Sequence, residues 1–168
     1  DLYKINSWAS RGACTGSGSE SVSWSVGTQT LQGNYPFPTS GVIFIQDHLV
    51  IDGQINGARL TIAAALLPEP ASSQYKNILI NNDLTYTNLD GTDSLGLVAQ
   101  GNVKVGLISE DDLTIHGALM AQHKSVGRFF YTGTNSCVYK NRSTLTLYGM
   151  IASYARYGFA FGSPASTG

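Results

Sequence analysis

One short pattern recurs along this chain and constrains its fold more than any other feature. The pattern is Leu-x-aliphatic-x-Gly-x-aliphatic, and it occurs at 49–55 (LVIDGQI), 113–119 (LTIHGAL) and 145–151 (LTLYGMI). Two related segments, 78–84 and 97–103, place Asn or Gly between aliphatic flanks. Each copy predicts two short strands that meet at a residue tolerant of positive φ. Such units, stacked side by side, predict a right-handed parallel β-solenoid with the aliphatic side chains inside.

The composition agrees with an all-β fold. Charged residues make up 12% of the 168 residues, and Gly (19) is abundant, as are β-branched and aromatic residues. This balance disfavours a helical bundle and a parallel α/β enzyme. A chain of this length can bury a real apolar core, which excludes the small scaffolds that depend on disulfides. The pairs Asn56-Gly57 and Asp90-Gly91 leave a partial β-sandwich as an alternative.

The pattern divides the chain into one domain with three parts. Residues 1–40 are expected to form an irregular N-terminal cap over the first repeat, 41–153 the solenoid, and 154–168 a C-terminal tail. Long loops are expected at 66–76 and 123–142. A start at Asp1 and a tail rich in Gly, Ser and Pro suggest a piece of a longer protein. The segment has no apolar run long enough to span a membrane, so we expect no membrane contact within it.

The repeated blocks, together with GVIFIQDHLVIDGQINGARLTIAA at 41–64 and SLGLVAQ at 94–100, resemble the β-solenoid domain of bacterial minor pilins and pilus-assembly proteins of the type IV pilus machinery. The resemblance covers about residues 41–153. It implies an extracellular, pilus-associated protein at the bacterial cell surface, with other pilus subunits as partners. The hydrophobic pilin helix that such proteins carry is not part of this sequence.

Charge is distributed unevenly along the chain. All 11 acidic residues lie in 1–120, whereas 121–168 contains no acid and several aromatic residues. Alternating cations and rings suit binding to a nucleic-acid backbone, because phosphates attract the cations and bases stack on the rings. The predicted DNA-binding residues are Lys124, Arg128, Lys140, Arg142 and Arg156, with Phe129, Tyr131 and Tyr139. The alternative is that the rings fill the core and the cations are simply solvated.

Acidic residues form two clusters that could carry chemistry. Asn88, Asp90 and Asp93 place oxygen ligands around a glycine, as Ca²⁺ prefers, but lack the bidentate Glu of an EF-hand, so a capped turn is the alternative. Asp111 and Asp112 suggest a glycoside-cleaving pair, although adjacent residues of a strand point to opposite faces. We therefore expect no catalytic residues, and no cofactor unless calcium binds.

The histidines and cysteines support a structural interpretation. His48, His116 and His123 lack the spacing of zinc sites. Cys14 and Cys137 form an even pair in a protein expected to be secreted, which predicts a disulfide, with two buried free thiols as the alternative.

Together these features predict a non-catalytic extracellular module for pilus assembly, adhesion or DNA uptake, which contacts DNA or surface glycans. The rival functions are a carbohydrate-binding or carbohydrate-active β-helix protein that uses Asp111 and Asp112, and a purely structural spacer.

Overall fold

The structure, a computed structural model, describes residues 1–16 and 22–159. The prediction of an all-β chain is confirmed: apart from a short 3-10 helix at Ser72–Gln74, the described elements are strands. In chain order they are β1 (Leu2–Trp8), β2 (Cys14–Gly16), β3 (Val26–Gly33), β4 (Val42–Ile45), β5 (Leu49–Val50), β6 (Gly53–Ile55), β7 (Arg59–Ala64), β8 (Ile78–Leu79), β9 (Leu84–Tyr86), β10 (Ser94–Ala99), β11 (Val103–Val105), β12 (Asp112–Ala121), β13 (Val126–Arg128), β14 (Tyr131–Gly133) and β15 (Thr144–Ser153). The part of the predicted tail from residue 160 onward lies outside the described residues.

Two parallel sheets make up most of the fold. The main sheet has seven strands in the order β4-β7-β10-β12-β9-β6, and β15 joins it by pairing with β12. A second sheet has the order β13-β11-β8-β5. Two small antiparallel sheets, β1 with β3 and β2 with β14, complete the described topology. Parallel pairing therefore dominates, which requires that the chain cross over between successive paired strands.

The inward side chains of both parallel sheets form one core. In the main sheet, Ile62, Leu97 and Leu119 pair in register on three adjacent strands and are almost fully buried. Each such aliphatic side chain stabilises the fold by about 1.5–3 kcal/mol relative to an exposed position. Ile43 on β4 and Ile151 on β15 continue this row but are only partly buried. The core is thus tightest in the middle of the sheet and more open at its two ends.

The predicted right-handed β-solenoid is wrong, and the sheet topology overturns it. The main sheet is branched: β12 pairs with β15 along its full length, and with both β9 and β10 along its other edge. The repeated segments are not equivalent units either. Segment 49–55 is divided between two sheets, as β5 and β6, whereas 113–119 and 145–151 each lie within one continuous strand. The chain is a set of mostly parallel sheets rather than a single repeating turn.

The central glycines explain why similar sequences give different structures. Gly117 and Gly149 are directly paired inside β12 and β15, with φ of +153° and +154°. A Cβ atom on Gly149 would overlap the Gly117 carbonyl oxygen. These glycines therefore allow two continuous strands to approach closely, which is a different role from ending one strand and starting the next.

The N-terminal segment also differs from the prediction. Residues 1–40 are not an irregular cap, because they contain β1 and β3, which form an antiparallel ribbon. Residues 23–25, just before β3, anchor this segment on later parts of the chain rather than on β4. Asn81 donates a side-chain hydrogen bond to the Trp24 carbonyl oxygen (2.9 Å), and Ser25 Oγ donates to the Ile108 carbonyl oxygen (3.2 Å). Likewise the predicted loop at 123–142 contains two strands, β13 and β14.

Candidate functional site

The predicted disulfide between Cys14 and Cys137 is present and buried. It joins the N-terminal segment to the loop that follows β14, and β2 pairs with β14 immediately beside it. Thr15 and Thr132 share a side-chain hydrogen bond of 2.7 Å in the same small sheet. The disulfide is consistent with an oxidising compartment. It also fixes the part of the chain in which the predicted DNA-binding residues are concentrated.

Arg128 is buried and holds neighbouring segments of the backbone together, so it is not a surface cation. Its guanidinium donates hydrogen bonds to the carbonyl oxygens of Leu107 (3.1 Å), Tyr139 (2.8 Å) and Lys140 (2.9 Å). The same group lies over the Tyr131 ring, 4.8 Å from its centroid. Burial lowers the pKa of Arg128 from its usual value. Because its donors already hold the 137–140 loop against the core, this side chain is not placed to meet an external phosphate.

Arg142 is engaged with neighbouring side chains. Its guanidinium stacks on the Tyr139 ring at 5.1 Å and pairs with the Asp111 carboxylate at 3.4 Å. Asp111 also accepts a hydrogen bond from Ser143 Oγ (2.5 Å). This bond, with help from Arg142, holds the pKa of Asp111 below its usual value. Arg142 and Asp111 therefore join the start of β15 to the start of β12.

The aromatic residues of the predicted site do not form a common stacking surface. Phe129 stacks on Trp24, with ring centroids 6.3 Å apart, and Lys104 Nζ lies 5.0 Å from its ring. Tyr131 is buried next to the disulfide. Tyr139 remains partly exposed beneath Arg142. The interpretation that some of these rings fill the core describes Phe129 and Tyr131 well.

A smaller basic surface remains at the end of the main sheet. The Ala155 backbone amide donates to the Lys124 carbonyl oxygen (2.8 Å), which places the chain after β15 beside the chain after β12. Arg156 is exposed next to this bond, and Tyr154 and Tyr157 flank it with exposed rings. We call Lys124, Tyr154, Arg156 and Tyr157 the terminal basic surface. Lys140, which is partly exposed, lies in the disulfide-linked loop instead.

The predicted calcium residues cap a turn. Asp93 is buried, and its two carboxylate oxygens accept backbone amides from Ala58 (3.2 Å) and Asn88 (2.8 Å). Asp90 Oδ1 accepts both the amide (3.0 Å) and the hydroxyl (2.7 Å) of Thr92. The alternative of a capped turn thus accounts for both carboxylates. Within residues 1–16 and 22–159, no group of three or more His, Cys, Asp or Glu side chains is arranged to hold a metal ion.

Two of the three acidic residues at 110–112, Glu110 and Asp111, interact with different parts of the chain. Asp111 is held by Ser143 and Arg142, whereas Glu110 interacts with Asp83. Loss of hydration and the Asp83 carboxylate raise the pKa of Glu110. A cavity of about 330 Å³ lies beside these residues, with Glu110 and Arg142 on its wall and Leu113 and Phe159 among its apolar lining. Glu110 and Asp111 thus have different partners, whereas the pairing of Asp111 with Asp112 stays a prediction.

Sequence reasoning missed two features of the main sheet. His116 and Tyr148 are paired neighbours on β12 and β15, and His116 contacts the rings of Tyr86 (5.3 Å) and Tyr148 (5.5 Å). His116 Nδ1 accepts the Tyr86 backbone amide (2.9 Å), which gives this histidine a structural role. The second feature is the edge of β15 that has no partner strand within residues 1–16 and 22–159. The contact between His116 and Tyr148 could have been predicted from their matching positions in LTIHGAL and LTLYGMI. The unpaired edge could have been predicted from the absence of charged residues in 144–153.

Comparison with known proteins assigns no family. No family model, curated protein or solved structure matches the chain. The resemblance to pilus proteins therefore stays a prediction from the sequence. In the described part of the chain, no helix has the length and apolarity needed to cross a membrane.

Replacement of Arg128 tests whether it is structural. We expect Arg128→Met to lower the free energy of unfolding by about 2–4 kcal/mol, because three carbonyl oxygens lose a charged donor. Arg156→Met, at an exposed position, should change it by less than about 0.5 kcal/mol. Urea denaturation of both variants measures the difference. Equal stability of the two variants would contradict a structural role for Arg128, and its predicted role in DNA binding would then stand.

The turn at Asp93 predicts a specific dependence on pH. Burial alone would raise the pKa of Asp93, but the surrounding backbone amides hold it below its usual value of 3.8. The stabilisation is therefore complete above about pH 5 and is lost as the pH falls below 3.8 and through the lowered pKa of the folded state. Urea midpoints from pH 6 to 2.5 should show a shallower acid loss in Asp93→Asn than in the wild type, with Asp112→Asn as the control. If millimolar calcium stabilises the wild type but not Asp93→Asn, the turn is a calcium site after all.

Proposed function

We propose that this protein is a non-catalytic extracellular module that assembles with other protein subunits through the free edge of β15. The observation that carries the proposal is the chemistry of this edge. β15 has ten residues, and none of them is charged or proline. Among the residues that the structure describes, it pairs with β12 alone. Natural proteins protect edge strands with charges, prolines, bulges or covering segments, so a long uncharged edge is suited to pairing with another chain.

The comparison of β15 with β12 strengthens this proposal. Both strands carry the same Leu-x-aliphatic-x-Gly-x-aliphatic pattern, and β12 is an interior strand that is paired along both edges. Tyr148 and Met150 of β15 continue the outward-facing rows of the sheet, and their side chains are 52% and 55% exposed. A strand with the composition of an interior strand thus stands at an edge.

The other parts of the proposal have separate support. The absence of catalysis is supported by Glu110 and Asp111, whose carboxylates interact with different partners. The extracellular location is supported by the disulfide. Pilus subunits are the partners that the sequence resemblance suggests, and they would use the same edge.

Lysines on the edge test this function. We expect Tyr148→Lys/Met150→Lys to reduce at least tenfold the fraction of protein that chemical cross-linking recovers in high-mass assemblies from the cells that produce it. Charged side chains on an edge strand oppose pairing with another strand. Met120→Lys is the matched control, because Met120 is exposed on the same face but lies on interior strand β12. An unchanged fraction in a folded edge variant would contradict the proposal.

A second candidate function is weak binding of nucleic acid at the terminal basic surface. Lys124 and Arg156 lie on neighbouring segments there, and Tyr154 and Tyr157 expose rings on which bases could stack. Two phosphate contacts, one for each cation, predict a slope of about −1.4 in a plot of log affinity against log salt for single strands. Fluorescence anisotropy with single- and double-stranded probes measures it. Lys124→Glu/Arg156→Glu should abolish binding, Lys4→Glu should not, and binding that survives the double variant would exclude this surface.

A further inference from the structure

The main sheet contains one continuous run of five strands, and among the described residues the strand at each end of this run has one unpaired edge. The run is β4-β7-β10-β12-β15, and each neighbouring pair is parallel. In the described part of the chain, β4 pairs with β7 alone, just as β15 pairs with β12 alone. Because all the strands point the same way, one edge of the run can accept the other edge of an identical run.

The register of the run makes the two edges complementary. One row of paired residues is Val42, Thr61, Gly96, Ala118 and Met150. The next row is Ile43, Ile62, Leu97, Leu119 and Ile151. If β4 of a second copy lay on β15 in the same register, both rows would continue without a shift. Val42 would then lie beside Met150, and Ile43 would stack on Ile151.

The core is incomplete at both of these ends. Ile43 and Leu49 at the β4 end, and Leu147 and Ile151 at the β15 end, pack against the core but are only partly buried. On the outer face, Val42 is 54% exposed, close to the value for Met150. Burial of such aliphatic surface is the main favourable contribution to association. The two ends thus expose the same kind of surface in the same register.

Charge next to the two edges is complementary as well. Asp47 lies two residues after β4, and its side chain is 75% exposed despite its ion pair with Lys76. Lys124 and Arg156 of the terminal basic surface each lie three residues after the end of their strand, β12 and β15. In the continued register the turn that carries Asp47 comes next to Arg156. Opposite charges at this rim would orient the encounter between two molecules.

We propose that the partner of β15 is a second copy of this chain, which pairs its β4 in parallel with β15 so that molecules join head to tail. The inference rests on the proposed function and names its partner. The contact is heterologous, since each copy uses a different surface at its two ends, and it leaves a free edge at each end of the assembly. A symmetric dimer through two copies of β15 would pair these strands antiparallel and would leave β4 uncovered.

Sedimentation velocity of the purified chain tests the proposal over a wide range of concentration. The average mass is expected to rise with concentration and to pass the dimer. Val42→Lys/Phe44→Lys blocks the β4 edge, and Tyr148→Lys/Met150→Lys blocks the β15 edge. Each variant alone should remain monomeric at concentrations at least tenfold above those at which the wild type associates. Met120→Lys, with far-UV circular dichroism of every variant, controls for folding and for the added charge.

A mixture of the two blocked variants gives the decisive result. Each retains the edge that the other has lost, so an equimolar mixture should form a 1:1 dimer and grow no further. If the β4-blocked variant dimerises alone, the junction is symmetric and the head-to-tail proposal is overturned. A purified wild type that stays monomeric also overturns it. In that case the cross-linking experiment on cells still decides the proposed function, because loss of assembly there would point to a different protein as the partner of β15.

Discussion

Parallel pairing in strict register is the constraint on which the rest of this structure depends. Since β7, β10 and β12 align residue by residue, Ile62, Leu97 and Leu119 form one buried row. The residues that precede and follow each of them along its strand face outward. A shift of one residue in any strand would turn its apolar set to solvent. The same register brings Asp111 to Ser143 and His116 to Tyr148 across β12 and β15. The polar contacts of the candidate site thus follow from the backbone pairing.

A second set of contacts fixes the basic part of the chain to this core. The Cys14–Cys137 disulfide joins the loop after β14 to the N-terminal segment. Arg128 donates both to a carbonyl oxygen of that loop, Tyr139, and to one in the segment after β11, Leu107. A guanidinium can serve several carbonyl groups at once because its donors have a fixed, planar arrangement. The excess of cations in 121–168 therefore has a partly structural origin. This leaves a smaller surface, around Lys124 and Arg156, for any external anion.

Local signals in the sequence predicted the features that depend on local chemistry. The pattern placed Leu113 and Ile115 inside, as observed, and the pair of cysteines predicted the disulfide. The expectation that Ala118 and Met120 also point inward was wrong, because β12 continues through Gly117 as one strand. The repeated glycine pattern was misleading, because the role of Gly117 depends on Gly149, 32 residues away, which must approach its carbonyl oxygen. The burial of Arg128 was equally hidden, since its partners come from two separate loops. The roles of Gly117 and Arg128 depend on residues far away in the sequence, and a pattern within one short segment does not show which distant residues will pair with it.

β12 and β15 have similar sequences but different numbers of neighbouring strands, and this difference bears on function. An interior strand needs aliphatic side chains toward the core, small or apolar side chains toward its neighbours, and no charge along its edges. β12 meets these needs and is covered on both sides, whereas β15 meets them and is covered on one side only in the described chain. Selection for folding of a single molecule would favour a lysine or a proline somewhere in ten edge residues. Their absence is what completion of the sheet by another chain, as proposed above, would require. In the shared register β4, which is uncharged, would fit opposite Met150–Ser153.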